Sequence, residues 1–255
     1  MVKVAVVLPA FNEANDLPPT LAQVSQSLAS LQNIEPKIIV VDDGSTDSTA
    51  DVVRQFSGSC EISLASHKVN RGLGQALVTG FQHAVTDADI VITMDADCSH
   101  DPALFAQMIR KIEEGSDVVI GSRFVRGGEM IGVTLPRRML SEGARLVMST
   151  LFPYRNVSDY SSGFRAYRSA ILKALMEYHG TSFISERGFA CQVEVLLKLR
   201  DLDAALTEIP LVLRYDRKTG DSKMRICRTI SRYGCVIARN LLPERLPRAT
   251  VHVGR

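Results

Sequence analysis

The sequence predicts an α/β fold: a doubly wound, mostly parallel sheet with a helical C-terminal elaboration, organised as one domain. Short β-branched runs alternate with helical patterns through the first half of the chain. Several of those runs, IIVV and IVITM among them, are apolar at consecutive positions, as strands covered on both faces must be. The connectors are short and no stretch has the composition of a linker, which favours repeated βα units.

Strands are expected at Lys3–Leu8, Lys37–Val41, Ile62–Ser66, Ile90–Met94 and Asp117–Gly121, with helices between them at 17–31, 46–56, 72–85 and 102–114. Ser45 or Thr46 is positioned to cap the second helix, and Asp101-Pro102 reads as an N-cap followed by proline at the first helical position. The second half is more helical and more basic. Helices are expected at 137–152, 168–178 and 188–200, then a strand at 205–213 and a last helix over 223–242. Pro243 and Pro247 end that pattern, so the domain is drawn as 1–242 with a loose tail at 243–255.

Composition narrows the function. The 255 residues are 45% hydrophobic and carry a net charge of only +2, which argues against a nucleic-acid partner. The five cysteines are scattered, with no zinc spacing, and fit a reducing compartment. The opening MVKVAVVLPAFNE turns polar too early for a secretory signal, and no run approaches the roughly 18 apolar residues of a membrane span. The expectation is a cytoplasmic protein that sits on a membrane surface without crossing it.

Ligands of an open parallel sheet bind beyond the carboxyl ends of its strands. There the chain places Pro9, Ala10, Asn12 and Glu13, then Asp42 and Asp43, then Asp95 and Asp97, then Arg123. No G-x-G-x-x-G follows the first strand, which excludes a dinucleotide fingerprint. Gly72-Leu73-Gly74 suits a phosphate or, more simply, a helix start. Two carboxylates converging in the turn after a strand repel unless a cation lies between them, and hard oxygen ligands suit Mg2+ or Mn2+ completed by water and a substrate diphosphate. Asp95 and Asp97 fit that description, with the Ser99 hydroxyl as an added ligand; a solvated turn capping the next helix is the plainer alternative. His100 is expected at the surface or in a cap rather than on a hard metal. Asp42 and Asp43 suit base or ribose contacts, a tight Asp-Gly turn, or one of each.

The last helix is amphipathic. Ile226, Ile230, Tyr233, Ile237 and Leu241 fall in an arc of roughly 80°, and Arg225, Arg228, Arg232 and Arg239 in another of roughly 60° across the helix. Such a pattern suits an anionic membrane surface or ordinary packing on the core.

The strings LPAFNE, VVDDGSTD, NRGLGQAL, MDADCSHDP, GSRF, RRMLSEGAR, DYSSGFRAYR and YDRKTGDSKM cover most of the chain. In that order they resemble family 2 of the inverting glycosyltransferases, which have the GT-A fold, and within it the dolichol-phosphate and polyprenyl-phosphate mannosyltransferase group. The resemblance implies a nucleotide-sugar donor (GDP-mannose favoured, UDP-glucose next) and a lipid-phosphate acceptor. It implies donor contacts from Pro9, Ala10, Asn12, Glu13, Asp42, Asp43 and Asp95, a metal on Asp95 and Asp97, and an acceptor phosphate held by Arg123, Arg137, Ser141, Arg217 and Lys223. Asp159 matches a carboxylate near the reacting centre, for orientation or proton removal. Some relatives carry Gln where Ser99 stands, and many add membrane helices, so a membrane-anchoring partner subunit is one route to the bilayer. Transfer to a polysaccharide or soluble acceptor, and a regulatory subunit that only binds nucleotide sugars, are the competing functions.

Overall fold

In the computed structural model, residues 1–220 and 226–241 are described. The first strands and helices alternate: β1 (Val2–Ala10), α1 (Leu17–Ala29), β2 (Ile34–Asp42), α2 (Thr49–Gln55), β3 (Glu61–Ser66), α3 (Leu73–Ala84), β4 (Ile90–Thr93), α4 (Phe105–Glu113) and β5 (Val118–Ser122). After them come β6 (Glu129–Ile131), α5 (Leu135–Leu151), β7 (Arg165–Arg168), α6 (Ser169–His179), α7 (Cys191–Asp201), β8 (Leu206–Pro210), β9 (Val212–Arg214) and α8 (Ile226–Leu241). The main sheet runs β3-β2-β1-β4-β7-β5-β8, and β7 alone among these strands lies antiparallel to its neighbours. β6 and β9 form a separate parallel pair.

Both faces of the sheet are covered, as the unbroken apolar runs require. Val4, Val6 and Leu8 of β1 pack with α1 and α4, while Ala5 and Val7 pack with α3 and the C-terminal helices. Alternation along a strand thus feeds two cores rather than a core and solvent. Pro36 sits inside β2 opposite Val4, but pairing with β3 begins only at Lys37, so its missing N–H removes no ladder bond on that side.

The structure departs from the sequence reading in several places. β7 was not expected: RAYR is short, and its first arginine is fully buried, where it donates to the carbonyls of Gln192 (2.9 Å) and Tyr160 (3.0 Å). The strand expected at 205–213 breaks at Leu211, whose N–H donates to Ser122 O (2.8 Å) while its carbonyl accepts from Glu129 N (2.9 Å), turning β9 off the main sheet toward β6. α2 starts later than expected because Ser45 is engaged elsewhere: its hydroxyl accepts from Asn12 N at 2.9 Å. Asp101 does cap, accepting from Ala103 N at 3.0 Å, although one 3-10 turn at Pro102–Leu104 precedes α4. The expected helix start at 223–225 and the tail at 243–255 lie outside the described residues.

Candidate functional site

One cleft of about 1050 Å³ opens beyond the carboxyl ends of the strands. Asp95, Asp97 and Ser99 line one bank, and Arg123, Arg137 and Ser141 the other. Residues separated by up to 46 positions therefore share a single wall-to-wall space.

The acidic bank is built by the turn after β4. The Asp95 N–H donates to His100 Nδ1 (3.2 Å), and the His100 ring stacks on Phe164 at 5.0 Å. Of the two settings expected for His100, it is buried rather than at the surface and caps the turn that carries both carboxylates. Asp97 Oδ1 accepts from the Ser99 hydroxyl (2.5 Å), and Asp97 Oδ2 accepts from Lys218 Nζ (2.8 Å). Burial pushes the Asp95 carboxyl above its usual range, and the neighbouring Asp97 charge adds to that. Burial would raise Asp97 too, but the Lys218 ammonium and the Ser99 hydroxyl outweigh it and hold Asp97 low.

The same donor set suits a hard divalent cation. Two carboxylates and a hydroxyl face the cleft, and an ammonium already sits on one of them. Among the described residues, no cluster of three or more His, Cys, Asp and Glu side chains forms a closed metal cage. A two-carboxylate site is what Mg2+ or Mn2+ uses when substrate phosphates and water complete the shell.

The nucleotide side is more divided than the sequence suggested. Pro9, Ala10, Glu13 and Asp43 line the cleft, joined by Phe11. Asn12 instead turns to the next loop, where Oδ1 accepts from Thr46 N (2.8 Å), and it adopts a left-handed φ of 53°. Asp42 Oδ1 accepts from Ser45 N (3.0 Å), the local turn anticipated for one of the two acids. Asp43 accepts from Arg71 N (2.9 Å), Gly72 N (2.7 Å) and, at 2.6 Å, pairs with His67 Nδ1, fixing the loop that floors the cleft. The Gly72 and Gly74 positions have a packing cause: a Cβ there would lie 2.3 Å from Arg187 O and 1.8 Å from Glu186 O. Protein backbone, rather than a phosphate, occupies the space these glycines leave.

On the basic bank, Arg123 is clamped by Asp159. Its Nε and Nη2 donate to the two carboxylate oxygens, both at 2.7 Å, and Nη2 also reaches Ser161 Oγ at 2.6 Å. Asp159 is fully buried, lies outside the cleft lining and accepts further backbone N–H groups of Arg123, Ser161 and Ser162. Burial would raise its carboxyl, yet Arg123 and these donors hold it below the usual range. Of the two roles expected for Asp159, orientation fits this geometry; proton removal does not, since a saturated, depressed carboxylate sealed from the cleft is a poor base. Arg137 donates through Nη1 to the Tyr215 hydroxyl (2.7 Å) and lies over the same ring.

Arg217 is exposed and outside the cleft lining, where Lys218 stands instead. Lys223 lies outside the described residues. Sequence reasoning missed Lys218 although YDRKTGDSKM displays it beside Arg217; only the turn decides which of two adjacent cations faces inward. It also missed Glu186. That carboxylate is fully buried and accepts from Arg232 Nε (2.7 Å), Arg232 Nη2 (2.6 Å) and Arg239 Nη1 (3.1 Å). The basic arc of α8 is therefore partly turned inward, and Val236 of the same helix is buried while Tyr233 and Ile237 pack on the core. Of the two settings open to α8, packing on the core accounts for this part of its surface, while Ile230 and Leu241 stay 48% and 53% exposed.

Comparison with known proteins agrees with the architecture. The chain is 30% identical over 224 residues to a dolichol-phosphate mannosyltransferase of Pyrococcus furiosus, a match covering 88% of this chain and 59% of that protein. The chain thus spans under two thirds of that relative's length. It is also 30% identical to an undecaprenyl-phosphate mannosyltransferase of Micrococcus luteus, covering 87% of each. Glucosyl-3-phosphoglycerate synthase of Mycobacterium tuberculosis, solved with Mn2+, UDP and glucosyl-3-phosphoglycerate, superposes with a TM-score of 0.68 at 21% identity, over 94% of this chain and 80% of that one. The same synthase with Mg2+ and UDP gives 0.65 at 20% identity, covering 94% and 78%. These neighbours share the GT-A fold predicted from the motifs. The sequence profile of Glycosyl transferase family 2 matches residues 5–176, and the chain belongs to that family.

Proposed function

We propose that this protein transfers a hexose, mannose from GDP-mannose being favoured, from a nucleotide-sugar donor to a polyprenyl or dolichyl phosphate at a membrane surface. The observation that carries the reading is the single cleft with two carboxylates on one bank and two arginines and a serine on the other. The two curated relatives, by their names, work on lipid phosphates with mannose, which favours that acceptor and sugar over the alternatives.

Asp95 and Asp97 would hold Mg2+ or Mn2+, with Ser99 behind Asp97. The ion supplies charge to the leaving diphosphate, usually the largest contribution in such a transfer. Pro9, Ala10, Phe11 and the Asp43-braced loop form the wall against which the nucleotide lies. An acceptor phosphate has a second pKa near 6, so close to neutral pH it is already a competent nucleophile. One of its oxygens bonds to the anomeric carbon as the diphosphate oxygen departs from the opposite side, which inverts the centre. No protein base is required, in keeping with the sealed position of Asp159. Arg123, held rigid by Asp159, Arg137, steadied by Tyr215, and Ser141 would fix the phosphate at attack distance.

The membrane approach is better supported by α5 than by α8. Leu135, Met139 and Leu146 are 69%, 66% and 64% exposed and lie within roughly 40° of one another around the helix. Arg137 and Ser141 sit on the same helix but on its other side, so an apolar strip in the lipid boundary would bring the cleft close to the headgroups without itself lining it. Among the described residues no helix is long and apolar enough to cross a membrane. Placement on the cytoplasmic face, with or without an anchoring partner, belongs to the same proposal.

The direct test incubates the protein with undecaprenyl phosphate or dolichyl phosphate and labelled GDP-mannose, with UDP-glucose in parallel and with or without EDTA. Metal-dependent label in the lipid phase is expected. Transfer that survives EDTA, or label that never enters a lipid phosphate, would overturn the reading.

A further inference from the structure

The segment after β9 crosses the acidic bank as a strap. It is stitched at its start by Arg214 N donating to Ser99 O (2.8 Å). At its far end the buried Asp16 carboxylate accepts from Thr219 N (3.2 Å), the Thr219 hydroxyl (2.5 Å) and Gly220 N (3.2 Å). Between these stitches Lys218 points inward. Its ammonium lies 2.8 Å from Asp97 Oδ2 and 3.9 Å from Glu13 Oε1, and its side chain is 9% exposed.

We infer that Lys218 is a tethered cation holding the place of the divalent ion, and that loading the ion releases Lys218 and loosens the strap. The inference rests on the metal reading proposed for Asp95 and Asp97. Three carboxylates, Glu13, Asp95 and Asp97, crowd this bank against one ammonium, so a doubly charged ion at the same place interacts more favourably than a single charge. Lys218 gives the buried Asp97 carboxylate its counter-charge, and a lysine on a four-carbon stem can supply one and swing away. The neighbouring strap residues Asp216, Arg217, Thr219 and Gly220 are exposed, so the bonds to Asp16, rather than core packing, are what the movement has to loosen. The consequence is an exchange of cations: Lys218 covers the carboxylates between turnovers, leaves as the metal-bound donor enters, and returns as the diphosphate departs with its ion.

The test titrates Mn2+ alone into the full chain, followed by Mn2+ electron spin resonance, with amide hydrogen exchange read in parallel. Lys218→Met should bind Mn2+ about tenfold more tightly than the wild type, equivalent to about 1.4 kcal/mol. Arg214→Gln, which removes an equal charge pointed at Asp216, should change affinity far less. In the wild type, Mn2+ should accelerate exchange at the Thr219 and Gly220 amides. In Lys218→Met those amides should exchange fast already and respond little. Equal or weaker Mn2+ binding by Lys218→Met, or a gain matched by Arg214→Gln, overturns the exchange of cations while leaving the metal reading standing. Tighter binding with wild-type strap exchange unmoved by Mn2+ overturns the link to the strap. If neither protein binds Mn2+, or if Asp97→Asn leaves the binding unchanged, the metal reading falls and this inference with it.

Discussion

On the acidic bank of the cleft, Asp95 and Asp97 face the open space with a flexible lysine as partner, whereas on the basic bank Arg123 and Arg232 are each clamped by a fully buried carboxylate. The two banks solve opposite problems. On the proposed reading a metal and a diphosphate would come and go, so their carboxylates would have to stay available between visits. An acceptor phosphate would be met by a guanidinium already aimed, because geometry fixed beforehand is what lowers the barrier to attack. Asp159 would do that aiming for Arg123 from inside the protein, while Glu186 holds Arg232 and Arg239 of α8.

Five variants sharpen this contrast and the membrane approach, beginning with the most damaging. Asp97→Ala removes a group proposed to touch the ion itself; transfer should fall by about a thousandfold or more, while the circular dichroism spectrum stays that of the wild type. Retained turnover would break the contrast at its acidic end. Asp159→Asn removes a clamp instead. It should lower stability by about 3 kcal/mol in urea unfolding, since Arg123 keeps its charge and loses its partner. The pH dependence has a definite sign. A carboxyl held below its unfolded value stabilises the fold above the ordinary carboxylate pKa of about 4, and that contribution fades as pH falls through the folded value. The variant should therefore show a shallower loss of stability below about pH 4 than the wild type.

Glu186→Gln should cost less, about 1–2 kcal/mol, because Arg232 and Arg239 are half exposed and water replaces part of the lost attraction. Faster hydrogen exchange confined to α8 would show that this carboxylate docks the helix. The smallest effect on the protein itself is expected from Leu135, Met139 and Leu146 changed together to Ser. Affinity for anionic lipid vesicles should drop several-fold while GDP-induced thermal stabilisation is unchanged. An equal drop from Ile230→Ser would make α8 a membrane contact as well.

The doubly wound sheet was legible because burial on both faces writes continuous apolar runs, and because DAD, VVDDGS and GSRF fall at strand ends where ligands bind. The cleft's two banks were legible for the same reason. What stayed hidden depends on contacts between distant segments. RAYR carries two arginines in four residues, and no local pattern announces that Arg165 would be buried within a sheet, its Nη1 and Nη2 donating to the carbonyls of residues 192 and 160. The arcs on α8 were correctly drawn, but amphipathicity does not say which face is covered. A single buried carboxylate, Glu186, draws two arginines of the basic arc onto the protein, and its own surroundings, ISERGF, look like any polar loop. Arg217 and Lys218 show the limit most sharply: two adjacent cations, of which a short turn sends one to solvent and the other to Asp97.

Asp16 has one more consequence. Its hydroxyl and amide partners at Thr219 and Gly220 are supplied from 203 and 204 residues further along the chain. As the polypeptide emerges from a ribosome, the strands bearing the carboxylates can assemble while this acid still lacks the groups that satisfy it. Closing so long a loop is an entropic cost met only once residues 219 and 220 have been made. The acidic bank is thus completed long after the strands that bear its carboxylates.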